Sequence, residues 1–163
     1  MRLGICAVLV LLLTACGYRP TPEETPPETL SYSSGACYGA CPQFHAVIDE
    51  FGELVYSGGE DSATEGVNHR DLGKPAFDQV RAALVQAQFS SLPAAITPAN
   101  PAACGHYRTD APTVEISAFV DQQLTKVTYY TGCNGTPEVE RVKTLAETLR
   151  QTLGLDELSR GSQ

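Results

Sequence analysis

The stretch GACYGACPQFH, Gly35 to His45, concentrates the side chains most able to do chemistry. Cys37 and Cys41 sit four apart, Pro42 follows, and His45 comes four residues after the second cysteine. These residue types support three chemistries: a disulfide, a thiol redox pair, or a soft metal site. In the last, Cys37, Cys41 and His45 would hold Cu(I) or Zn(II) through sulfur and imidazole, with His106 able to join them. On a helix, spacings of four would align all three on one face. Pro42 and the alternating residues after it point to a loop and a strand instead, and a disulfide would remove the thiolates.

The compartment decides among these readings, because oxidising spaces close cysteines into disulfides and reducing ones keep them free. Met1-Arg2 is a short positive start, and Leu3 to Leu13 is almost wholly apolar. About 11 residues at 1.5 Å each span roughly 16 Å, too short for a ~30 Å hydrocarbon core but suited to a signal peptide. The segment ends in Leu13-Thr14-Ala15-Cys16, which resembles a bacterial lipobox. The resemblance implies cleavage after residue 15 and acylation of Cys16 with several fatty-acid chains. Each buried methylene contributes ~0.8 kcal/mol and a single chain holds only reversibly, so several make a lasting anchor. Gly17 stands where an aspartate would signal inner-membrane retention, which favours the outer membrane of the cell envelope over the inner.

Residues 1–15 thus read as a lipoprotein signal peptide, and 16–29 as the lipidated cysteine with a linker. GYRPTPEETPPET holds four prolines and three glutamates. In a polyproline-like form such a stretch reaches roughly 40 Å. A single domain is expected over 30–158, with 159–163 as a disordered tail. Loss of the signal removes only Arg2 among the charges, leaving 10 basic against 19 acidic residues, a net of −9. No basic cluster occurs along the chain, which argues against nucleic acid, whose phosphates demand concentrated Lys and Arg. With Cys6 in the signal and Cys16 acylated, Cys37, Cys41, Cys104 and Cys133 remain. An even number in an exported chain reads first as two disulfides, although four cysteines permit three pairings.

The elements that position these groups follow from periodicity. TLSYSS (29–34) alternates as a short strand. In 43–49, Phe44, Ala46 and Ile48 share one face, and His45, Val47 and Asp49 the other. Glu50-Phe51-Gly52 turns the chain, and 53–57 returns to make a hairpin. SATEGVNHR reads as a solvated polar segment holding His69. Pro75 to Gln88 predicts a helix, with Phe77, Val80, Leu84 and Ala87 at spacings of three and four. FSSLPAAITPANPAACG reads as a long loop.

TVEISAFV (113–120) and LTKVTYYT (124–131) form a second hairpin about Asp121-Gln122-Gln123. Thr136 as N-cap and Pro137 open a final helix whose apolar stripe runs from Val139 to Leu153, with Gly154 as its stop. Strand, hairpin, helix, hairpin, helix predicts an α+β fold: a small antiparallel sheet of four to five strands with two helices on one face. The second hairpin carries Cys133 opposite residue 111, a short loop from Cys104. That geometry favours Cys104–Cys133, with Cys37–Cys41 as the other pair. Loops of about 30 and 5 residues would contribute ~3.6 and ~2 kcal/mol on chain-entropy grounds.

SYSSGACYGACPQFHAVIDEFGELVYSGG resembles a bacterial domain-of-unknown-function family numbered 6438, common in lipoproteins. The residues that carry the likeness are Cys37-Tyr38-Gly39-Ala40-Cys41-Pro42, the alternating strand, Gly52 in the turn, and Tyr56 before Gly58. RTDAPTVEISAFV, with Asp110 and Pro112, and the closing helix extend it over about 30–155. Phe44 stands where a tyrosine is typical, and Glu50-Phe51-Gly52 replaces an Asp-Gly turn. The resemblance implies a fold and no activity or cofactor. Cys-x-x-x-Cys-Pro is also similar to the motif of Sco-type copper-delivery proteins. There it opens a helix, whose N-terminus depresses a thiol pKa; here a strand follows Pro42.

HYRTDAP (106–112) is the densest polar-aromatic cluster, and His106, Tyr107 and Asp110 are the expected contact surface. The plainer alternative is a solvated loop edge, with Asp110 holding backbone amides. No Gly-x-Ser-x-Gly, Walker loop, His-Glu-x-x-His or placeable Ser-His-Asp set occurs. The reading is a membrane-anchored, non-enzymatic envelope domain without cofactor that binds an envelope protein or a small ligand. The alternative is a thiol-redox or copper-handling protein using Cys37 and Cys41.

Overall fold

Alternation sets the first three strands. β1 (Thr29–Ser34), β2 (Phe44–Asp49) and β3 (Glu53–Gly58) bury every second side chain: Leu30 and Tyr32, then Phe44, Ala46 and Ile48, then Leu54 and Tyr56. The computed structural model describes residues 26–161. The expected signal peptide, Cys16 with its acylation, the linker up to residue 25, and residues 162 and 163 lie outside them. Between β2 and β3, the Asp49 carboxylate accepts from the N–H groups of Phe51 and Glu53 at 3.0 and 2.9 Å. Gly52 takes φ 91°, and a Cβ there would overlap the backbone of Gly73. Both features make the hairpin tight, as the sequence predicts.

SATEGVNHR departs from expectation. Its second half forms β4 (Gly66–Asp71), an edge strand paired with β3. Its side chains are mostly exposed, so it carries no hydrophobic alternation to read. Charged and polar edge residues also discourage further strand addition. His69 is exposed and stands 3.5 Å from Glu53.

α1 (Lys74–Gln86) buries Ala76, Phe77, Val80, Ala83 and Leu84. The expected long loop after it is pinned at several points. A turn of 3₁₀ helix spans Phe89–Ser91, β5 (Ala95–Ile96) pairs parallel with a later strand, and α2 (Pro101–Cys104) follows. β6 (His106–Tyr107), β7 (Thr113–Val120), β8 (Gln123–Tyr130) and β9 (Cys133–Asn134) come next, then α3 (Pro137–Thr152) and α4 (Leu155–Arg160).

The main sheet has seven strands in the order β4-β3-β2-β1-β7-β8-β5, and β6 pairs with β9 in a separate ribbon. The predicted four to five strands are therefore too few, and four helices stand where two were expected. β4 lacks apolar alternates, and β5 is two residues long. Leu30 lies beside Ile48 and Ala118, Tyr32 beside Ala46 and Ile116, and Val114 beside Tyr129. That face joins one core with the buried sides of α1, α3 and α4. Each large aliphatic side chain so buried contributes about 1.5–3 kcal/mol.

Thr136 caps α3 as predicted, its hydroxyl accepting from the Val139 N–H at 3.2 Å. Arg141 then clips α3 to the end of α1, donating to the carbonyls of Ala87 and Gln88 and to the Ser91 hydroxyl at 2.8–2.9 Å. Gly154, at φ 63°, ends α3, but the chain restarts at once as α4. Ser159 is buried, and the carbonyls of Leu158 and Ser159 accept from the N–H groups of Thr64 and Ala63 at 3.0 and 2.9 Å. Ser159 and Arg160 therefore belong to the domain and not to the disordered tail expected from 159.

Candidate functional site

Both expected cysteine pairs are at bonding distance. Cys37 and Cys41 have Cα atoms 5.7 Å apart, and Cys104 and Cys133 4.9 Å apart. Gly39, at φ 128°, supplies the backbone conformation that closes the small loop. Cys104 and Cys133 are buried and tie α2 to β9. Cys133 stands opposite Tyr107, not residue 111, because β9 leaves the hairpin and pairs with β6.

The alternative metal set is not assembled. Cys37 and Cys41 bond each other, and the Nδ1 of His45 lies 2.7 Å from the Ser33 hydroxyl on the open face of the sheet. No cluster of three or more His, Cys, Asp or Glu side chains suited to a metal ion occurs among the described residues. Ser33 and His45 have the types of a nucleophile and base. A carboxylate would have to orient the imidazole from behind. Glu115 instead stands beside Ser33 and pairs with Lys126 at 2.7 Å. The order acid, serine, histidine on a flat face lacks that geometry.

The 106–112 cluster is split by the fold. His106 and Tyr107 lie exposed on β6, and the Tyr107 ring meets Tyr130 edge-on at 6.4 Å. Asp110 takes φ 64°, and its carboxylate accepts from the Thr109 hydroxyl at 2.9 Å, not from backbone amides. The residues of this stretch that line a cavity are Arg108 and Pro112, and sequence reasoning did not single out the arginine.

Two concavities flank the covered side of the sheet. The larger, about 710 Å³, lies between α1 and the β7–β8 turn. Its guanidinium, Arg81, is held by Asp121 at 2.7 Å and Glu28 at 3.7 Å. The smaller, about 330 Å³, lies among β1, the Cys41-Pro42 corner, β7, β8, α3 and α4. Its walls include Tyr32, Phe44, Val114 and Tyr129, with Tyr32 and Phe44 stacked at 5.8 Å. We treat the smaller as the candidate site, because its chemistry is the less balanced of the two.

Four cations line it: Arg108, Lys143, Arg150 and Arg160. Lys143, Ala146, Glu147 and Arg150 repeat at helical spacing and so share one face of α3. Arg150 pairs with Asp156, whereas Arg108, Lys143 and Arg160 enter no ion pair among the described residues. Glu147 is the one acid in the lining. Burial pushes the Tyr32 phenol up to about 12, with Arg150 offsetting part of the rise. Burial also raises Tyr129, with a smaller push from Glu140. Both hydroxyls therefore stay protonated at neutral pH and can donate. The chain has no basic cluster in sequence, yet the fold assembles one from a loop and two helices. The helical spacing on α3 was visible, but its mixed Lys and Glu face reads as ordinary solvated surface.

No curated protein matches the chain. The family model for the domain of unknown function DUF6438 matches residues 28–152, from the approach to β1 through the end of α3. That span includes the Cys37–Cys41 loop and all but the α4 side of the cationic pocket, and by it the chain belongs to the DUF6438 family.

Proposed function

We propose that this chain is a lipid-anchored lipoprotein of the bacterial cell envelope, whose domain binds a ligand or partner without converting it. The observation that carries the reading is the pairing of Cys37 with Cys41 and of Cys104 with Cys133. Cysteines reach that state in oxidising spaces outside the cytoplasm. The apolar Leu3 to Leu13 and the Leu13-Thr14-Ala15-Cys16 box supply delivery and anchor, and the Pro/Glu-rich stretch that follows supplies a tether. Gly17 favours the outer membrane. A concave pocket and an open sheet face offer binding surfaces. The nucleophile–base pair Ser33 and His45, on the sheet face, has no carboxylate placed to orient its imidazole among the described residues.

The test is palmitate labelling and membrane fractionation of the wild type and Cys16→Ala, with thiol titration of the folded protein. The expected result is label and membrane association in the wild type, loss of both in C16A, and no free thiol among Cys37, Cys41, Cys104 and Cys133. A cytosolic, unlabelled wild-type protein would overturn the anchor. Two accessible thiols at Cys37 and Cys41, or copper bound there, would favour the thiol or copper-handling alternative. Turnover of an acyl, phosphoryl or thiol substrate would refute the non-catalytic reading.

A further inference from the structure

We infer that the cationic pocket is a binding site for a small organic oxyanion, a carboxylate or phosphate carried on a compact apolar body. This rests on the reading of the domain as a binding module and names the class of its ligand.

Charge sets this cavity apart. The chain carries a net −8, yet this one cavity gathers Arg108, Lys143, Arg150 and Arg160 against Glu147, with Asp156 engaging Arg150. Like charges placed together repel, and three of these cations meet no carboxylate among the described residues. All three are exposed, so solvent solvates them when the pocket is empty, and their summed field draws an anion to it. Three of the four cations are guanidiniums, whose planar forks match the two oxygens of a carboxylate or phosphate.

Two phenols add hydrogen-bonding capacity independent of that charge. Tyr32 and Tyr129 are each 3 % exposed and line the cavity. Neither hydroxyl has a hydrogen-bond partner among the described residues, whereas the buried Tyr56 hydroxyl is held by Ser62 at 2.5 Å. No sealed side-chain oxygen or nitrogen lacks a partner among the described residues. The two phenol oxygens are therefore accessible from the cavity that both residues line, and each can donate there. An oxyanion seated there would accept from these hydroxyls in place of solvent.

The cavity's size limits what it can hold. A volume of about 330 Å³ sits at the small end of ligand sites, enough for a ring-sized molecule. The Tyr32–Phe44 stack, Val114 and Ala146 give the apolar body its wall. A metal cation would be repelled by the lining.

The experiment titrates the full chain, in detergent, with phenyl phosphate, benzoate and the neutral benzyl alcohol. It is repeated on the triple variant R108Q/K143Q/R160Q and at raised salt. The expected result is saturable binding of both anions. It should weaken at least tenfold in the triple variant and with salt, and the alcohol should bind more weakly than either anion. Displacement of phenyl phosphate by vesicles of anionic phospholipid would support the site with a lipid headgroup as source; no displacement would support it with a free anion. Absence of saturable binding at millimolar probe, binding unchanged in the triple variant, or alcohol binding as tight as the anions would overturn the inference. Release of phenol by the wild type, lost in the triple variant, would keep the oxyanion site and sink the non-catalytic reading. The two failures are thereby distinguishable.

Discussion

The two concavities on the covered side of the sheet differ in how their charges are met. In the groove beside α1, Arg81 has Asp121 at 2.7 Å and Glu28 at 3.7 Å, and Asp78 has Lys74 at 2.6 Å. In the pocket beneath α3 and α4, four cations face one lining carboxylate, and one of the four is engaged by Asp156. The groove is about twice the volume, at 710 against 330 Å³. Volume is therefore the poorer guide to a site. The groove's charges neutralise one another, whereas the pocket presents a net positive field that an anion from outside would meet.

The largest expected effect lies in the scaffold both concavities share. Replacing Cys104 and Cys133 together with alanine should destabilise the domain by about 3.6 kcal/mol on chain-entropy grounds, seen as a lower denaturant midpoint. Both concavities should loosen.

A pH titration separates the two next. Burial holds the Tyr32 phenol at about 12, against an ordinary value near 10 in the unfolded chain. Its contribution is complete below pH 10. As pH rises toward 12, the unfolded chain gives up a proton that the folded chain keeps, so stability falls; above 12 the loss is complete. Tyr32→Phe should remove a part of this slope on the order of 2 kcal/mol, read from unfolding midpoints at pH 9 and pH 11.5. Tyr56 and Tyr129 are raised by burial as well, so some slope should persist.

Replacing Cys37 and Cys41 with alanine should cost about 2 kcal/mol. Cys41 and Pro42 line only the pocket, so oxyanion affinity should fall while the groove is untouched. The smallest change is Arg81→Gln in the groove. Its ion pairs are largely exposed, so the loss should stay below about 1 kcal/mol, with phenyl phosphate binding unchanged.

Much of this frame was legible because the core writes itself in periodic residues. Phe44, Ala46 and Ile48 announced β2, Val114, Ile116 and Ala118 announced β7, and Thr136-Pro137 marked the start of α3. β4 escaped because an edge strand of Asn68, His69, Arg70 and Asp71 buries little and so shows no alternation. β5 is too short for any period to register, and α4 follows a glycine that reads as a full stop. The pocket escaped for a different reason. Arg108, Lys143, Arg150 and Arg160 are scattered along the chain, and only the packing of α3 and α4 against the sheet makes them neighbours. The cluster 106–112 offers His106, Tyr107 and Asp110 as its chemistry-bearing types, while its contributions to the cavity are Arg108 and Pro112.

The most direct measurement is the thermal midpoint of the wild type and of R108Q/K143Q/R160Q, each with and without phenyl phosphate. A charge cluster held for a ligand predicts a ligand-free variant as stable as the wild type or higher by a few tenths of a kcal/mol, since no ion pair is lost. It also predicts that phenyl phosphate raises the midpoint of the wild type alone. Equal rises in both proteins, or a variant that loses several kcal/mol without ligand, would contradict it and show the cations to be scaffold.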